Sequence, residues 1–414
     1  MVKLRVKNFG PVKNSENDDY LLINKFTVFI GEQGSGKSTI AKLFSTFSWL
    51  EKDFYRNPKN EHNFGKAEFI NCCANQKIEG YFTSLTIIDF IGESFEFHYS
   101  EKGFYSKRVS YSYRKPKIMY IPSERNLLTV LDKAENIQKL PLMLKLLQTE
   151  FNKALNSSET GLFLLPVKDF KLLYDRDTKI AFISNNDSIV RIQDSSSGLQ
   201  SLVPISIVSN YLIQEVDKRL VDIIKDFSVF DISQIKNRIF EKLNDTVISD
   251  HLINVFDHDF VFGKIDNVNK ADYSMINEVI REYVNTCFIN IVEEPEQNLF
   301  PISQVEVLEE LINVNNSIEY NKLLITTHSP YILSALNNYI YANDIFKRKN
   351  RKVAEISPNL YLNIDEVSAY RIQNGIIFSI INRNYNLIDT TQIDDCSSII
   401  NSIYDKLIEV DNEE

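Results

Sequence analysis

Residues 31–39 read GEQGSGKST, and their types and spacing suit the binding of a phosphate chain. Glycines at Gly31, Gly34 and Gly36 let successive backbone N–H groups turn inward around an anion. A helix opening at Lys37 adds the positive end of its dipole. In this spacing Lys37 reaches the outer phosphates, the Ser38 hydroxyl ligates magnesium, and Ser35 and Thr39 complete the loop. The pattern carries weight only between a strand and a helix. Residues 26–30 are an apolar run, and Ile40, Leu43, Phe44 and Phe47 recur at helical spacing.

Phosphoryl transfer to water also needs a carboxylate for the metal shell, a group that orients the attacking water, and positive dipoles on the terminal phosphate. Glu293 and Glu294 close the run INIVEE, so one can serve the metal shell and the next can orient water. His328 follows a second apolar run, 322–326, where a histidine can hold the water or donate to the phosphate. Taken alone, His328 is better read as a satisfied core histidine. Ser196, Ser197 and Gly198 open a helical stretch and offer hydroxyls and free N–H groups, as an anion site or simply as a helix cap.

The elements that must position these residues follow from periodicity. Residues 2–9 alternate as a strand, and 21–30 make two β pieces around Asn24 and Lys25, so a small antiparallel edge leads into the loop strand. The helix after the loop runs to about residue 55. Short strands are expected over 67–99, then a basic, aromatic-interleaved piece over 102–117 and a strand at 118–121. Residues 127–155 are helical with a break near Pro141. A hairpin pairs 170–174 with 179–183, and a strand follows at 188–192. Residues 287–292 and 322–326 are continuous apolar runs, as in strands buried on both faces. Residues 213–285 are mostly helical in pattern, and a closing amphipathic helix lies around 397–408.

At 414 residues, two or three lobes are expected: one built from 1–125 together with 286–414, a helical and β lobe at 126–212, and a helical insertion at 213–285. Formal net charge is -10, which argues against a protein that coats nucleic acid with its whole surface. The four cysteines have no metal-ligand spacing and read as reduced thiols. No apolar run reaches membrane-span length, so no membrane contact is expected and a cytoplasmic location is the simplest inference.

In order, the loop, Ser-Ser-Gly-x-Gln at a helix start, Glu-Glu-Pro after one strand and Thr-His-Ser after another resemble the ATP-binding-cassette ATPase head. The resemblance implies an α/β P-loop fold: an antiparallel β edge, a core mixed sheet flanked by helices, and a helical lobe. It implies ATP and Mg2+ as cofactors, with Gly31, Gly34, Ser35, Gly36, Lys37, Ser38 and Thr39 as the Walker A loop. Ser38 and Glu293 would hold the metal, Glu294 would be catalytic, residues 297–300 the D-loop and His328 the switch histidine. Ser196, Ser197, Gly198 and Gln200 would form the signature that meets ATP in trans. Glu293 stands where aspartate is usual, and Leu199 where a second glycine is usual. No Q-loop glutamine is evident, and Ser123, Glu124 and Arg125 occupy its place.

The opening LRVKNFGPVKN and the phrases EEPEQNLFP and TTHSPYIL resemble the SMC, RecF and OLD branch, and more narrowly the stand-alone ATPases of anti-phage systems such as PARIS and Septu. That resemblance implies an ATP-hydrolysing switch in antiviral defence that assembles through ATP-sandwich dimers or higher homo-oligomers and controls a separate effector, a nuclease or toxin. The second reading is a DNA-binding repair ATPase of RecF or SMC type. Its support is the basic run 102–117 and the run 347–352.

Overall fold

The computed structural model describes residues 2–57, 61, 63–130, 140–218, 284–391, 402–403 and 406–407. The expected insertion beyond residue 218 and most of the closing helix lie outside the described residues.

The fold is mixed α/β, with a seven-stranded mixed sheet flanked by helices. In chain order the strands are β1 Val2–Lys7, β2 Asn14–Ser15, β3 Leu21–Ile23, β4 Phe26–Gly31, β5 Ile87–Ile91, β6 Phe95–Ser100, β7 Gly103–Arg108 and β8 Pro116–Ile121. They continue with β9 Leu162–Leu164, β10 Lys171–Asp175, β11 Ile180–Ser184, β12 Ile189–Arg191, β13 Cys287–Glu293, β14 Lys322–Thr327, β15 Val367–Gln373 and β16 Ile376–Ser379. The main sheet runs β2-β16-β15-β4-β14-β13-β8. Its five strands from β15 to β8 are parallel.

Alternation along these strands sends side chains to two cores. Phe29, Tyr120, Ile291 and Leu324 pack on the face of helix α1, Lys37–Arg56, together with the five-stranded antiparallel sheet β3-β1-β5-β6-β7. Here aromatic rings fill the volume: Phe47 stacks on Phe90 with centroids 5.0 Å apart. Val28, Ile121, Val292 and Ile325 face the opposite core. That side carries the four-stranded sheet β12-β11-β10-β9 and four longer helices. Those and the short helix between α1 and β5 are, in chain order, α2 Lys66–Ala74, α3 Leu142–Ser157, α4 Ser197–Asp217, α5 Pro301–Asn316 and α6 Pro330–Lys349. All seven residues of β13 are buried, Asn290 and Glu293 among them.

One local expectation is corrected. The strands expected from residue 67 begin with a helix, because Phe69 and Cys73, four residues apart, both bury on one face of α2. The expected small antiparallel edge is present: β3 pairs with β1 in the antiparallel sheet and leads into β4, which joins the main sheet between β14 and β15. The chain therefore crosses between two layers there.

Candidate functional site

Strand register brings the sequence-predicted groups to one edge. Glu293 lies opposite Thr326, Thr327 opposite Ile30, and Val292 opposite Ile121. The parallel strands thus end level, and the loops leaving β4, β13 and β14 share the carboxyl edge where open α/β sheets place ligands.

The 31–39 loop turns on Gly36, which caps α1 with φ 114°, a left-handed conformation. A Cβ there would also lie 2.7 Å from Val12 Cγ2, so only glycine fits both the turn and the packing. No side chain caps this helix, which leaves its first N–H groups facing the loop. Lys37 is buried and folded over the loop, donating from Nζ to the carbonyls of Gly31 (2.8 Å) and Glu32 (2.9 Å). Burial lowers its pKa, while Glu294, Glu296 and Glu293 oppose that shift.

Those carboxylates line the other side. Glu293 is buried, accepts from the Ser123 backbone N–H through Oε2 at 3.2 Å, and leaves Oε1 buried without a partner. Glu294, partly exposed, has φ 43° and places Oε1 3.6 Å from His328 Nε2. His328 holds the Glu294 carboxyl below its ordinary range, and burial opposes this. Sequence reasoning passed over Glu296. Its Oε1 accepts from the Thr327 hydroxyl (2.8 Å) and the His328 N–H (2.7 Å), so it fixes the turn that carries His328. Burial raises the Glu296 pKa. Its position two residues beyond Glu294 was the only available signal.

Chemistry of the donor set fits a phosphate chain with a divalent cation. Among the described residues, Glu293 Oε1, Glu296 Oε2, Thr326 Oγ1 and Ser35 Oγ are buried polar atoms without hydrogen-bond partners, and Glu293 and Glu296 act electrostatically on Lys37 at the uncapped start of α1. Lys37, Ser35 and the 31–39 backbone could hold the phosphates, and Ser38 with Glu293 could hold the metal.

The second predicted group sits elsewhere. Ser196 and Ser197 are exposed at the start of α4, and Ser196 Oγ accepts from the Leu199 N–H. Gly198 packs so closely on the 297–300 turn that a Cβ would lie 2.6 Å from the Asn298 carbonyl oxygen. Gln200 turns inward and donates to the carbonyls of Ile192 (3.3 Å), Gln193 (2.8 Å) and Ser195 (3.1 Å), so its amide is used in holding its own loop. Among the described residues no hydrogen bond joins these four residues to the 31–39 loop.

The 102–117 run is largely engaged within the protein. Arg108 lies over the rings of Phe95, Tyr55 and Tyr111, Arg114 over Tyr320 at 3.8 Å, and Lys117 pairs with Glu150 at 3.2 Å. Among the described residues no helix is long and apolar enough to cross a membrane, and no cluster of His, Cys, Asp and Glu could by itself hold a metal ion.

The class defined by these observations is a mixed α/β protein with a glycine-rich loop and a carboxylate cluster at one sheet edge. Sequence comparison finds no matching protein family and no similar curated protein. Among solved structures the chain is similar to the SMC head domain from Thermotoga maritima, at 11% identity and TM-score 0.36 over 91% of this chain and 97% of that one. It is also similar to an SmcHead bound to the C-winged helix domain of ScpA, at 9% identity and TM-score 0.38 over 91% and 96%. A third is an Smc head with an extended coiled coil bound to the C-terminal domain of ScpA derived from Pyrococcus furiosus, at 9% identity and TM-score 0.36 over 98% and 100%.

Proposed function

We propose that this chain is an Mg2+-dependent ATPase that works as a switch: two copies close around ATP, the 31–39 loop of one protomer facing Ser196, Ser197 and Gly198 of its partner. The observation that carries this reading is the division of the site. One edge gathers Lys37, Glu293, Glu294 and His328 around unpartnered buried oxygens, while the serine-tipped start of α4 presents its hydroxyls outward. A phosphate held by the first half lacks the dipoles that the second half would supply, so a second copy completes the site. ATP then favours the closed pair, and hydrolysis relaxes it.

In this reading Glu294 orients and deprotonates the attacking water, His328 holds Glu294 and faces the terminal phosphate, and Glu293 supports the metal. Control of a separate nuclease or toxin effector in anti-phage defence is supported by the phrases EEPEQNLFP and TTHSPYIL alone. The nucleic-acid reading draws less support, because the basic run it needs spends Arg108, Arg114 and Lys117 on internal contacts.

Light scattering with Mg2+ and ATP tests the paired state. The Glu294→Gln chain should shift from monomer to dimer mass on adding ATP. Ser197→Arg placed in the same chain should abolish that shift while single protomers still bind ATP. A monomer under every condition would rule out the sandwich.

A further inference from the structure

Arg125 is fully buried, and among the described residues no carboxylate hydrogen-bonds its guanidinium. Its four hydrogen bonds to described residues all end on backbone carbonyls. Nε donates to Ser201 (2.9 Å), Nη1 to Pro122 (3.2 Å) and Glu293 (2.6 Å), and Nη2 to Glu294 (2.7 Å). Burying an unpaired guanidinium is costly, and burial lowers its pKa to about 10. Packing alone would favour an apolar side chain at this position. What arginine adds is a rigid planar fork that can bond in several directions at once.

The three segments held by that fork are the turn after β8, the end of β13 and the first turn of α4. Glu294 sits in the left-handed region at φ 43°, a strained conformation for a non-glycine residue. It persists because its ends are clamped: its N–H donates to the Thr326 carbonyl at 2.9 Å, and its own carbonyl accepts from Arg125. A second bond runs from the same region to α4. The Thr129 hydroxyl is shared between the carbonyls of Asn126 (2.8 Å) and Gln200 (3.0 Å).

We propose that Arg125 is a positioning residue that couples the start of α4 to the Glu293–Glu294 backbone, and thereby makes the two nucleotides of a closed pair hydrolyse cooperatively. The inference rests on the paired reading above. In a pair, Ser197 of one chain meets the partner's nucleotide, while Glu294 of that chain acts on its own. The first turn of α4 is a rigid unit, so a shift at Ser197 moves the Ser201 carbonyl. The Arg125 fork then carries the shift to the Glu294 peptide, whose strained conformation gives it an alternative to turn toward.

The test compares the wild type, Arg125→Lys and Thr129→Val by steady-state ATPase against ATP concentration, by binding of a fluorescent ATP analogue, and by thermal melting. ATP-driven pairing is read separately in a Glu294→Gln background. Wild type should show a Hill coefficient above one. Lysine keeps the charge but loses the fork, so Arg125→Lys should bind nucleotide and pair as before, with kcat about tenfold lower and the Hill coefficient reduced to about one. Thr129→Val, nearly isosteric, should lower the Hill coefficient with a smaller loss of kcat. Unchanged kcat and cooperativity in Arg125→Lys overturn the proposal, as does parallel loss of binding, pairing and turnover in a folded variant, which marks a merely structural residue. Should Arg125→Lys fail to fold, an unchanged Hill coefficient in Thr129→Val overturns it. Failure of Glu294→Gln with Arg125 intact to pair removes the paired reading instead, so the two failures are distinguishable.

Discussion

Glu294→Gln isolates the chemistry of the carboxyl edge, because glutamine preserves the shape of the side chain and both backbone clamps. Oε1 of Glu294 lies 3.6 Å from His328 Nε2, and the histidine holds the carboxyl below its ordinary range. Glutamate at position 294 is therefore ionised throughout the neutral range, as the proposed role of accepting a proton from water requires. Removing a positioned base of this kind costs about 10²–10⁴-fold in rate, equivalent to about 3–5 kcal/mol in the barrier. Ground-state binding should move the other way. One negative charge facing the phosphates disappears, so the affinity for ATP should hold or tighten.

The assay is phosphate release at saturating Mg2+ and ATP, paired with calorimetric ATP binding. The expected outcome is a kcat at least about a hundredfold lower with equal or lower Kd. The pH profile supplies an independent readout. In the wild type the acid limb due to Glu294 should fall below the ordinary glutamate value of about 4.3. His328→Ala removes the largest cause of that depression and should move the limb upward. Glu294→Gln turning over at more than about a tenth of the wild-type rate would refute the catalytic assignment. A limb unmoved by His328→Ala would refute the role given to the Glu294–His328 contact.

Other perturbations separate binding from folding. Lys37→Met removes two bonds to loop carbonyls, each worth about 0.5–1.5 kcal/mol, so the chain should stay folded while ATP affinity measured by calorimetry falls at least tenfold, about 1.4 kcal/mol; undiminished affinity would contradict the phosphate cradle. Gly198→Ala places a Cβ 2.6 Å from the Asn298 carbonyl oxygen and 3.1 Å from Leu299 Cδ2, an overpacking cost of about 1–3 kcal/mol that should lower the melting temperature and the ATPase rate together. An unshifted melt would show that the 297–300 turn yields freely. Buried Glu51 accepts from the Ser94 and Phe95 N–H groups, and burial raises its pKa to about 7. A carboxyl raised on folding contributes stability that is complete below the unfolded value and is lost as pH rises through about 7. Glutamine does not titrate, so between pH 5 and 8 the stability difference should move in favour of Glu51→Gln by about 2–3 kcal/mol in denaturant titrations. A difference independent of pH would mean that the wild-type carboxyl is not held neutral.

Much of the candidate site was legible in the chain because its determinants are local. A glycine-rich turn between an apolar run and a helical period declares itself within residues 26–47, and β13 and β14 declare their double burial by composition. Residues 67–74 were misread because a short helix with two buried positions, Phe69 and Cys73, carries too little periodicity to be told from a strand. Gln200 carried no sign of turning inward, since its three acceptors are backbone carbonyls whose directions depend on how the preceding turn folds.

The sequence by itself determined the glycine-rich loop between strand and helix, the paired carboxylates at a strand end and the serine-tipped helix start, because each depends on residue type and near-neighbour spacing. Tertiary structure alone decided that β3 and β4 belong to different sheets, that Glu296 anchors the His328 turn, and that Arg125 joins Ser201 to Glu293 and Glu294. The physical reason is common to all three. Backbone N–H and C=O groups are the same at every residue, so which of them a distant side chain or strand will meet is set by the packing of the layers and leaves no mark in the order of residues.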